Sequence, residues 1–522
     1  MLYTASSFRG MVTAPHHLAA QSGLDILKDG GSAAEAAVAV AATLAVVYPH
    51  MNSIGGDSFW LVREPGGAVH GVHAVGGAAA KAELSLYKGL TAVPWRGPLA
   101  ANTVAGTISG WQAMLEGGTL SLDRILRDAI FYADDGVAVT QGGADLAAAK
   151  DVELQDVTGY AGVFRPDGRP LAVGDRLKQP ALAQTLRRLV RDGLDGFYRG
   201  ALARDIAADL EAAGSPVSAA DLEAHAVSRP LPLATRIGGA TLYNAAPPTQ
   251  GFASLLILAL YDRLGTRGLN DFDHLHGLIE ATKQAFIVRD RDIGDPAYMT
   301  LDAQALLADR DTLDRLAARI DPRRALAWPH EPTGGDTVWF GAVDGQGRAV
   351  SAIQSTYFEF GSGLVLPQTG ITWQNRGASF RLSEHGWNAL KPGRKPFHTL
   401  NPAMAVFDDG RVMAYGTMGG EGQPQTQAAL FTRYAGGMGL QAAITAPRWL
   451  LGRTWGEDSV TLKLEDRFEP ALYDALRNAG HAVERVAPFT AMMGHAGALV
   501  RHESGLIDGA TDPRSDGGVA AW

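Results

Sequence analysis

The 522-residue chain contains no cysteine, which excludes disulfides, thiolate nucleophiles and cysteine-ligated metals. Positive charge is in short supply: 46 Lys and Arg stand against 55 Asp and Glu, for a formal charge of −9, and no Lys/Arg-rich tract occurs. Nucleic acid needs a basic face, so no nucleic-acid partner is expected. A membrane-length apolar run is also missing. The longest candidate, Ala33 to Tyr48, is alanine-rich, carries Glu35 and is too short to span a bilayer comfortably. The first residues, Met1 to Arg9, lack a basic stretch followed by an apolar core, so no secretory signal is read. The expectation is a cytoplasmic protein with no membrane partner. Missing too are a Gly-x-Ser-x-Gly elbow, a phosphate-loop motif and His-Glu-x-x-His. His274 and His276 lie two apart in a predicted helix, where side chains diverge, so neither a metal nor a cofactor is expected. A hydrolase with these gaps must find its nucleophile elsewhere.

What is present is an ordinary globular balance, 46% hydrophobic and 19% charged. The length calls for two domains or one large layered domain. The first half reads as mainly helical. Leu18–Lys28 ends at Gly30-Gly31, a C-cap signal; Ser32 with Glu35 forms a capping box for a helix running through Val47. Further helical spacing covers 181–192, 201–213, 254–263 and 274–288. Near residue 335 the pattern changes. Stretches 338–343, 349–355 and 371–374 read as strands, rich in β-branched and aromatic residues. Stretches 403–407 and 411–415 flank Asp408-Asp409-Gly410, a hairpin signal. Helices are predicted at 424–434, 440–446 and 470–479, and a last strand pair at 496–500 and 505–510. The polar segment Asp321–Gly335, with three prolines and a diglycine, reads either as a linker or as a processing loop.

Gly334-Gly335-Asp336-Thr337-Val338 places a flexible diglycine before a threonine that opens a strand. A strained peptide bond there is open to attack by the Thr337 hydroxyl, with an N-to-O acyl shift and hydrolysis of the ester. The new α-amine, with an ordinary pKa of about 7.7–8.0, then serves as base for its own hydroxyl. By itself Gly-Gly-x-Thr equally describes a plain turn entering a strand.

The surroundings resemble the γ-glutamyltransferase family of N-terminal-nucleophile hydrolases. Pro15-His-His-Leu18, Gly30-Gly-Ser-Ala-Ala-Glu-Ala-Ala37, Tyr48-Pro-His50 with Ile54-Gly-Gly56, and Pro247-Pro-Thr-Gln-Gly251 match its first part. Asp336-Thr337, Phe360-Gly-Ser-Gly363, Asn401-Pro402, Gly416-Thr-Met-Gly-Gly420 and Asp512-Pro-Arg-Ser515 follow in order. The resemblance covers nearly the whole chain. It implies an α+β fold, a four-layer αββα sandwich, cleaved between Asp336 and Thr337 into a large chain (1–336, mostly helical with part of the sheets) and a small chain (337–522). These two chains of one precursor would be each other's partners, and the cleaved pair is open to homo-oligomerisation. By the same resemblance Thr337 is the processed nucleophile, Ser355 stands where the family has a second threonine, and Gly419 and Gly420 fall at the oxyanion hole. Without that context Gly419-Gly420 is a tight turn and Ser355 an ordinary strand hydroxyl.

Departures from the pattern bear on substrate. Where the family holds a glutamyl amine with Gln and Asp, this chain has Arg376 and Ser379. The carboxylate-clamping Arg is absent from Val72–Gly77. His398-Thr399 replaces a Ser-Ser pair, and Tyr357 replaces an Asn. A cation where an ammonium would sit repels it, so the resemblance implies amide hydrolysis on a small substrate bearing a carboxylate that Arg376 grips. His398, Thr399 and Tyr357 complete the expected pocket. The residues Gln354-Ser-Thr-Tyr-Phe-Glu-Phe-Gly361 look like the cephalosporin acylase-like branch, for which oxamate is the leading substrate class. A glutaryl or cephalosporin-type acylase, a γ-glutamyl hydrolase or transferase, and a non-enzymatic relative are the alternatives. Arg376 also admits a structural salt bridge, His398 a satisfied loop role, and Tyr357 and Trp387 plain packing. The long stretch 381–397 has the length of a lid.

Overall fold

Local chemistry sets the first helices. Ser32 accepts the Glu35 N–H while Glu35 Oε2 takes the Ser32 N–H at 2.8 Å, closing the expected capping box. The helix that follows, Ala33–Val47, is buried along its whole length, as a helix apolar on most faces must be. The computed structural model describes residues 3–266, 268–328, 336–452 and 459–522, with Asp336 described by its backbone alone.

Two antiparallel sheets lie at the centre. One has six strands in the order Gly518–Ala521, Gly10–Ala14, Asp336–Asp344, Ala349–Tyr357, Asp57–Arg63 and Val69–Ala74. The other has seven, in the order Ala5–Ser7, Ile507–Thr511, Ala496–Arg501, Val412–Thr417, Ala403–Phe407, Ala240–Asn244 and Leu233–Ile237. The sheets face each other through Asp336–Asp344, which packs on Val412–Thr417 and Ala496–Arg501. Helices His17–Lys28 and Ala33–Val47 cover the six-stranded sheet. Gly251–Arg263, Gln423–Ala435 and Leu440–Thr445 cover the other, with Phe272–Asp292 packed on the first two. This is the αββα sandwich. Both sheets interleave strands from before and after residue 336, so the stretches 1–336 and 337–522 are intertwined rather than side by side.

Met11, Leu61, Val343, Met404 and Leu499 fill the space between the sheets. Trp339 enters the same layer and donates Nε1–H to Ser351 Oγ at 3.0 Å. Its indole needs glycine opposite: a Cβ on Gly416 would lie 2.2 Å from Trp339 Cδ1, and one on Gly497 2.4 Å from Cζ3.

The helices and most strands of the sequence reading appear within a few residues of their expected bounds. Stretch 371–374 is a correction. It is not a strand; it makes isolated bridges only, Val365 with Thr372 and Gly55 with Trp373. Trp373 folds back on the loop before it, exchanging backbone bonds with Ser362 and Leu364, so its apolar character reflects burial rather than pairing. The first half is also richer in strands than its helical reading. Gly10–Ala14 and Asp57–Arg63 are buried on nearly every residue, which removes the alternation that marks a half-exposed strand. Stretch 381–397 is pinned down: Trp387 Nε1 donates to Ile293 O at 2.7 Å and Lys395 N to Asp295 Oδ2 at 2.8 Å. Residues 329–335, the diglycine included, lie outside the described residues. No helix among the described residues is long and apolar enough to cross a membrane.

Candidate active site

Thr337 is the second residue of the inner strand Asp336–Asp344 and is fully buried. Odd-numbered residues of this strand face the other sheet, as Trp339 does, so the Thr337 hydroxyl points between the layers. There it accepts a hydrogen bond from Gln423 Nε2 at 3.1 Å. On the neighbouring strand, Gln354 pairs with Val338 and Tyr357 with Asp336, so one extra residue is accommodated between them. This bulge sets Ser355 and Thr356 opposite Thr337 and re-aims the strand end. Ser355 Oγ accepts the Tyr357 N–H at 2.7 Å. Tyr357 takes φ +85°, a strained conformation for a bulky residue.

Tyr357 carries the cation. Arg376 Cζ lies 3.3 Å from the centre of the Tyr357 ring, and Arg376 Nη1 donates to Thr399 Oγ1 at 3.2 Å. Arg376 Nε and Nη2 are buried without a hydrogen-bond partner, and Arg376 makes no ion pair among the described residues. Two glycines permit close approach here: a Cβ on Gly55 would lie 2.4 Å from Thr372 O, on the segment leading to Arg376, and one on Gly56 2.1 Å from Ser355 O, on the bulged strand. Burial brings the guanidinium pKa down to about 10, opposed by Tyr357 and Asp57, so Arg376 stays charged at neutral pH.

Asp57 completes this pocket. It opens the strand Asp57–Arg63 and is fully buried. Its Oδ1 accepts the Gly106 N–H at 2.9 Å and the Gly76 N–H at 3.4 Å. Its Oδ2 lies 3.3 Å from His398 Nε2, out of line for a hydrogen bond, and has no other partner. Neither ring nitrogen of His398 is hydrogen-bonded. Burial pushes the Asp57 carboxyl up to about 7; the Gly106 N–H, the Gln374 side chain, the Gly76 N–H and Arg376 hold it from rising further. Burial, then Arg376, His73 and Lys395, keep His398 well below the usual histidine range, so it is neutral. Unpaired polar atoms of Arg376, Asp57 and His398 thus share one buried region, a costly arrangement unless a ligand satisfies them.

The turn Gly419–Gly422 sits at the Thr337 end because Gln423, the next residue, reaches that hydroxyl. Gly419 has φ +120° and Gly420 φ +53°, and a Cβ on Gly419 would meet Gly494 Cα at 3.3 Å. Gly419 C=O accepts the Gly422 N–H at 2.8 Å, which fixes the peptide plane that carries the Gly420 N–H, and Gly420 C=O accepts Gln250 Nε2 at 2.7 Å, which fixes the next plane of the turn. Gln250 also donates to Thr399 O at 2.7 Å and accepts from Arg289 Nη1 at 3.0 Å, and Arg289 pairs with Glu421 at 3.1 Å. Behind the turn, Arg448 donates to Gly494 O at 2.8 Å and is paired with Asp512.

The structure therefore gathers Thr337, Ser355, Gly419 and Gly420 at one end of the inter-sheet layer, and Arg376, Tyr357, His398 and Thr399 beside it. Ser379, at the family's Asp position, is turned to the main chain, with its Oγ 3.4 Å from Phe397 O. Stretch 72–77 contributes the Gly76 N–H and the buried His73 instead of an arginine. His274 and His276 diverge as expected: His274 bonds Thr432, while His276 bonds His481 and Asp321 O. Near His276, ligand-type atoms of Glu280 and His481 come within 4.8 Å, but the Lys283 ammonium occupies that carboxylate at 2.6 Å. Sequence reasoning missed Asp57 and Gln423. Asp57 directly follows Ile54-Gly-Gly56 and Gln423 stands three residues past Gly416–Gly420, and no local pattern marks either as part of the site.

The chain matches the family described as Gamma-glutamyltranspeptidase over residues 19–522. It is 53% identical to the oxamate amidohydrolase proenzyme of Klebsiella pneumoniae over 523 residues, covering 99% of each chain. To the glutathione hydrolase-like proenzyme of Bacillus subtilis it is 41% identical over 517 residues, 97% of each. Among solved structures, the cephalosporin acylase from Bacillus halodurans superposes with a TM-score of 0.92 at 32% identity, covering 100% of this chain and 97% of that one.

Proposed function

Because the chain belongs to the gamma-glutamyltranspeptidase family, we propose that it is a self-processing amidohydrolase acting on a small amide that bears a carboxylate, with oxamate as the leading substrate. Processing breaks the bond between Asp336 and Thr337 and leaves a large chain, 1–336, and a small chain that begins with the nucleophile. The Thr337 hydroxyl attacks the amide carbonyl and its own α-amine takes the proton. Oxyanion charge falls on the N–H groups of Gly419 and Gly420, and the Gln423 amide steadies the nucleophile. The amine then protonates the departing nitrogen, which leaves as ammonia. Water, deprotonated by the same amine, hydrolyses the Thr337 ester and frees the second carboxylate.

The observation that carries the substrate reading is the buried Arg376 with two unpartnered guanidinium nitrogens. It lies over Tyr357, the cross-strand neighbour of Asp336, hence beside the nucleophile. Such closeness suits an acid whose carboxylate adjoins the scissile carbonyl, and it leaves an incoming ammonium no anionic seat except Asp57. The name of the 53% identical relative agrees. The likeness to a cephalosporin acylase favours a glutaryl-type acyl group as the second reading. Ammonia or amine release from oxamate, glutaryl amides and glutathione tests both. Oxamate turnover supports the proposal; turnover of glutathione alone would overturn it.

A further inference from the structure

We propose that Asp57 makes carboxylate binding in the Arg376 pocket proton-coupled: when the substrate carboxylate enters, Asp57 Oδ2 takes up a proton and becomes a donor within the site. This rests on the carboxylate reading given above and adds what regulates the same pocket.

Above the Asp57 titration point, Arg376 and Asp57 hold opposite charges in one buried region. The Oδ1 atom is engaged by two main-chain N–H groups, so the carboxyl cannot turn away. The Oδ2 atom is free and faces the His398 side of the pocket. A substrate carboxylate brought to Arg376 competes with Asp57 for one cation. Two carboxylates sharing one buried cation leave a net negative charge there, and buried like charges force one group to accept a proton. Asp57 is the group poised to do so, because burial already places its carboxyl at about 7. Once protonated, Oδ2–H can donate to the substrate carboxylate or to the His398 Nε2 lone pair. One proton enters with each anion, so site charge is conserved.

The surrounding charges leave that role to Asp57. From its own strand and the bulged strand opposite come Phe59 and Ser355. The 374–376 loop presents Gln374 and Arg376, and the next segment presents His398. His73, on the adjacent strand, is held near 3 by burial and Lys395, so it is neutral like His398. Tyr198 donates its hydroxyl to Ala105 O at 3.0 Å and its pKa is pushed up by burial; His225 lies beyond it, bonded to Ser109. Arg376 and Lys395 are the positive groups, and Arg376, brought down only to about 10, keeps its charge at neutral pH.

The test is calorimetric titration of oxalate into the processed protein, above the Asp57 titration point, in two buffers of different ionisation enthalpy. Uptake of close to one proton per oxalate is expected, and affinity should fall roughly tenfold per pH unit above that point. The Asp57→Asn variant keeps an acceptor for Gly76 and Gly106 and offers His398 a neutral donor. It should bind oxalate with no proton uptake and with pH-independent affinity, which separates this effect from titration of the Thr337 amine. Binding to the wild-type protein without proton uptake overturns the proposal while leaving the carboxylate reading standing. No oxalate binding at all overturns both. Should Asp57→Asn fail to fold, the wild-type proton count decides alone.

Discussion

Gln423 Nε2 lies 3.1 Å from Thr337 Oγ1, joining the first residue of a helix on one sheet to the hydroxyl on an inner strand of the other. Neither residue is exposed, so the contact is fixed by packing on both sides. If it steadies the nucleophile, Gln423→Leu should slow both self-cleavage and turnover. A lost hydrogen bond of about 1 kcal/mol corresponds to a roughly fivefold slowing. A gel time course of chain separation and steady-state ammonia release check this; unchanged rates in both would contradict it.

Gly419 is held at φ +120° with Gly494 against it. Gly419→Ala introduces both strain, about 1–3 kcal/mol, and a Cβ that displaces the turn. Turnover should fall by a factor on the order of 10², as for loss of an oxyanion donor, while substrate affinity changes little. Wild-type turnover in this variant would remove the turn from the mechanism.

Removing the fork of Arg376 should act on binding. For Arg376→Gln, loss of charged hydrogen bonds of about 1.5–3 kcal/mol raises KM for carboxylate substrates roughly 10- to 100-fold. Arg376→Lys should restore only part of it, since an ammonium lacks the planar fork. Amides without a carboxylate should show no such change, and equal loss on both substrate types would contradict the assignment.

Asp512 ties acid stability to the turn. Its burial favours protonation, but Arg448 and Arg514, helped by His495 and the Ala496 N–H, outweigh burial and hold the carboxyl below its ordinary 3.8. A depressed carboxyl contributes stability above its unfolded pKa and loses it as pH falls through the folded value. Tm should therefore drop on acidification below about pH 4. Asp512→Asn should lower the neutral-pH Tm, because it leaves Arg448 and Arg514 short of a buried anion, and should flatten the acid limb. A variant with the wild-type acid profile would contradict this.

What the sequence makes legible is what local rules govern. The Ser32–Glu35 cap, the Asp408–Gly410 hairpin and the helices read at 181–192 and 470–479 follow from short-range chemistry. The resemblance brought Thr337, Gly419 and Gly420 to notice, and the fold sets them at one end of one layer. Asp57 was not legible, since an acidic residue after two glycines reads as a turn, and its meaning depends on Arg376 and His398, which arrive from distant segments. Arg376 was singled out by position, but that two of its nitrogens lack partners is a property of packing alone. Strands buried on both faces escaped for a similar reason: their periodicity is erased by the layers that cover them.

Intact-mass analysis of the purified protein, with Thr337→Ala alongside, tests the central claim most directly. The wild-type protein should give two masses, those of 1–336 and 337–522, with a free threonine amine at the start of the second, and the variant should give one inactive full-length mass. An unbroken wild-type chain that hydrolyses amides at full rate would contradict the account.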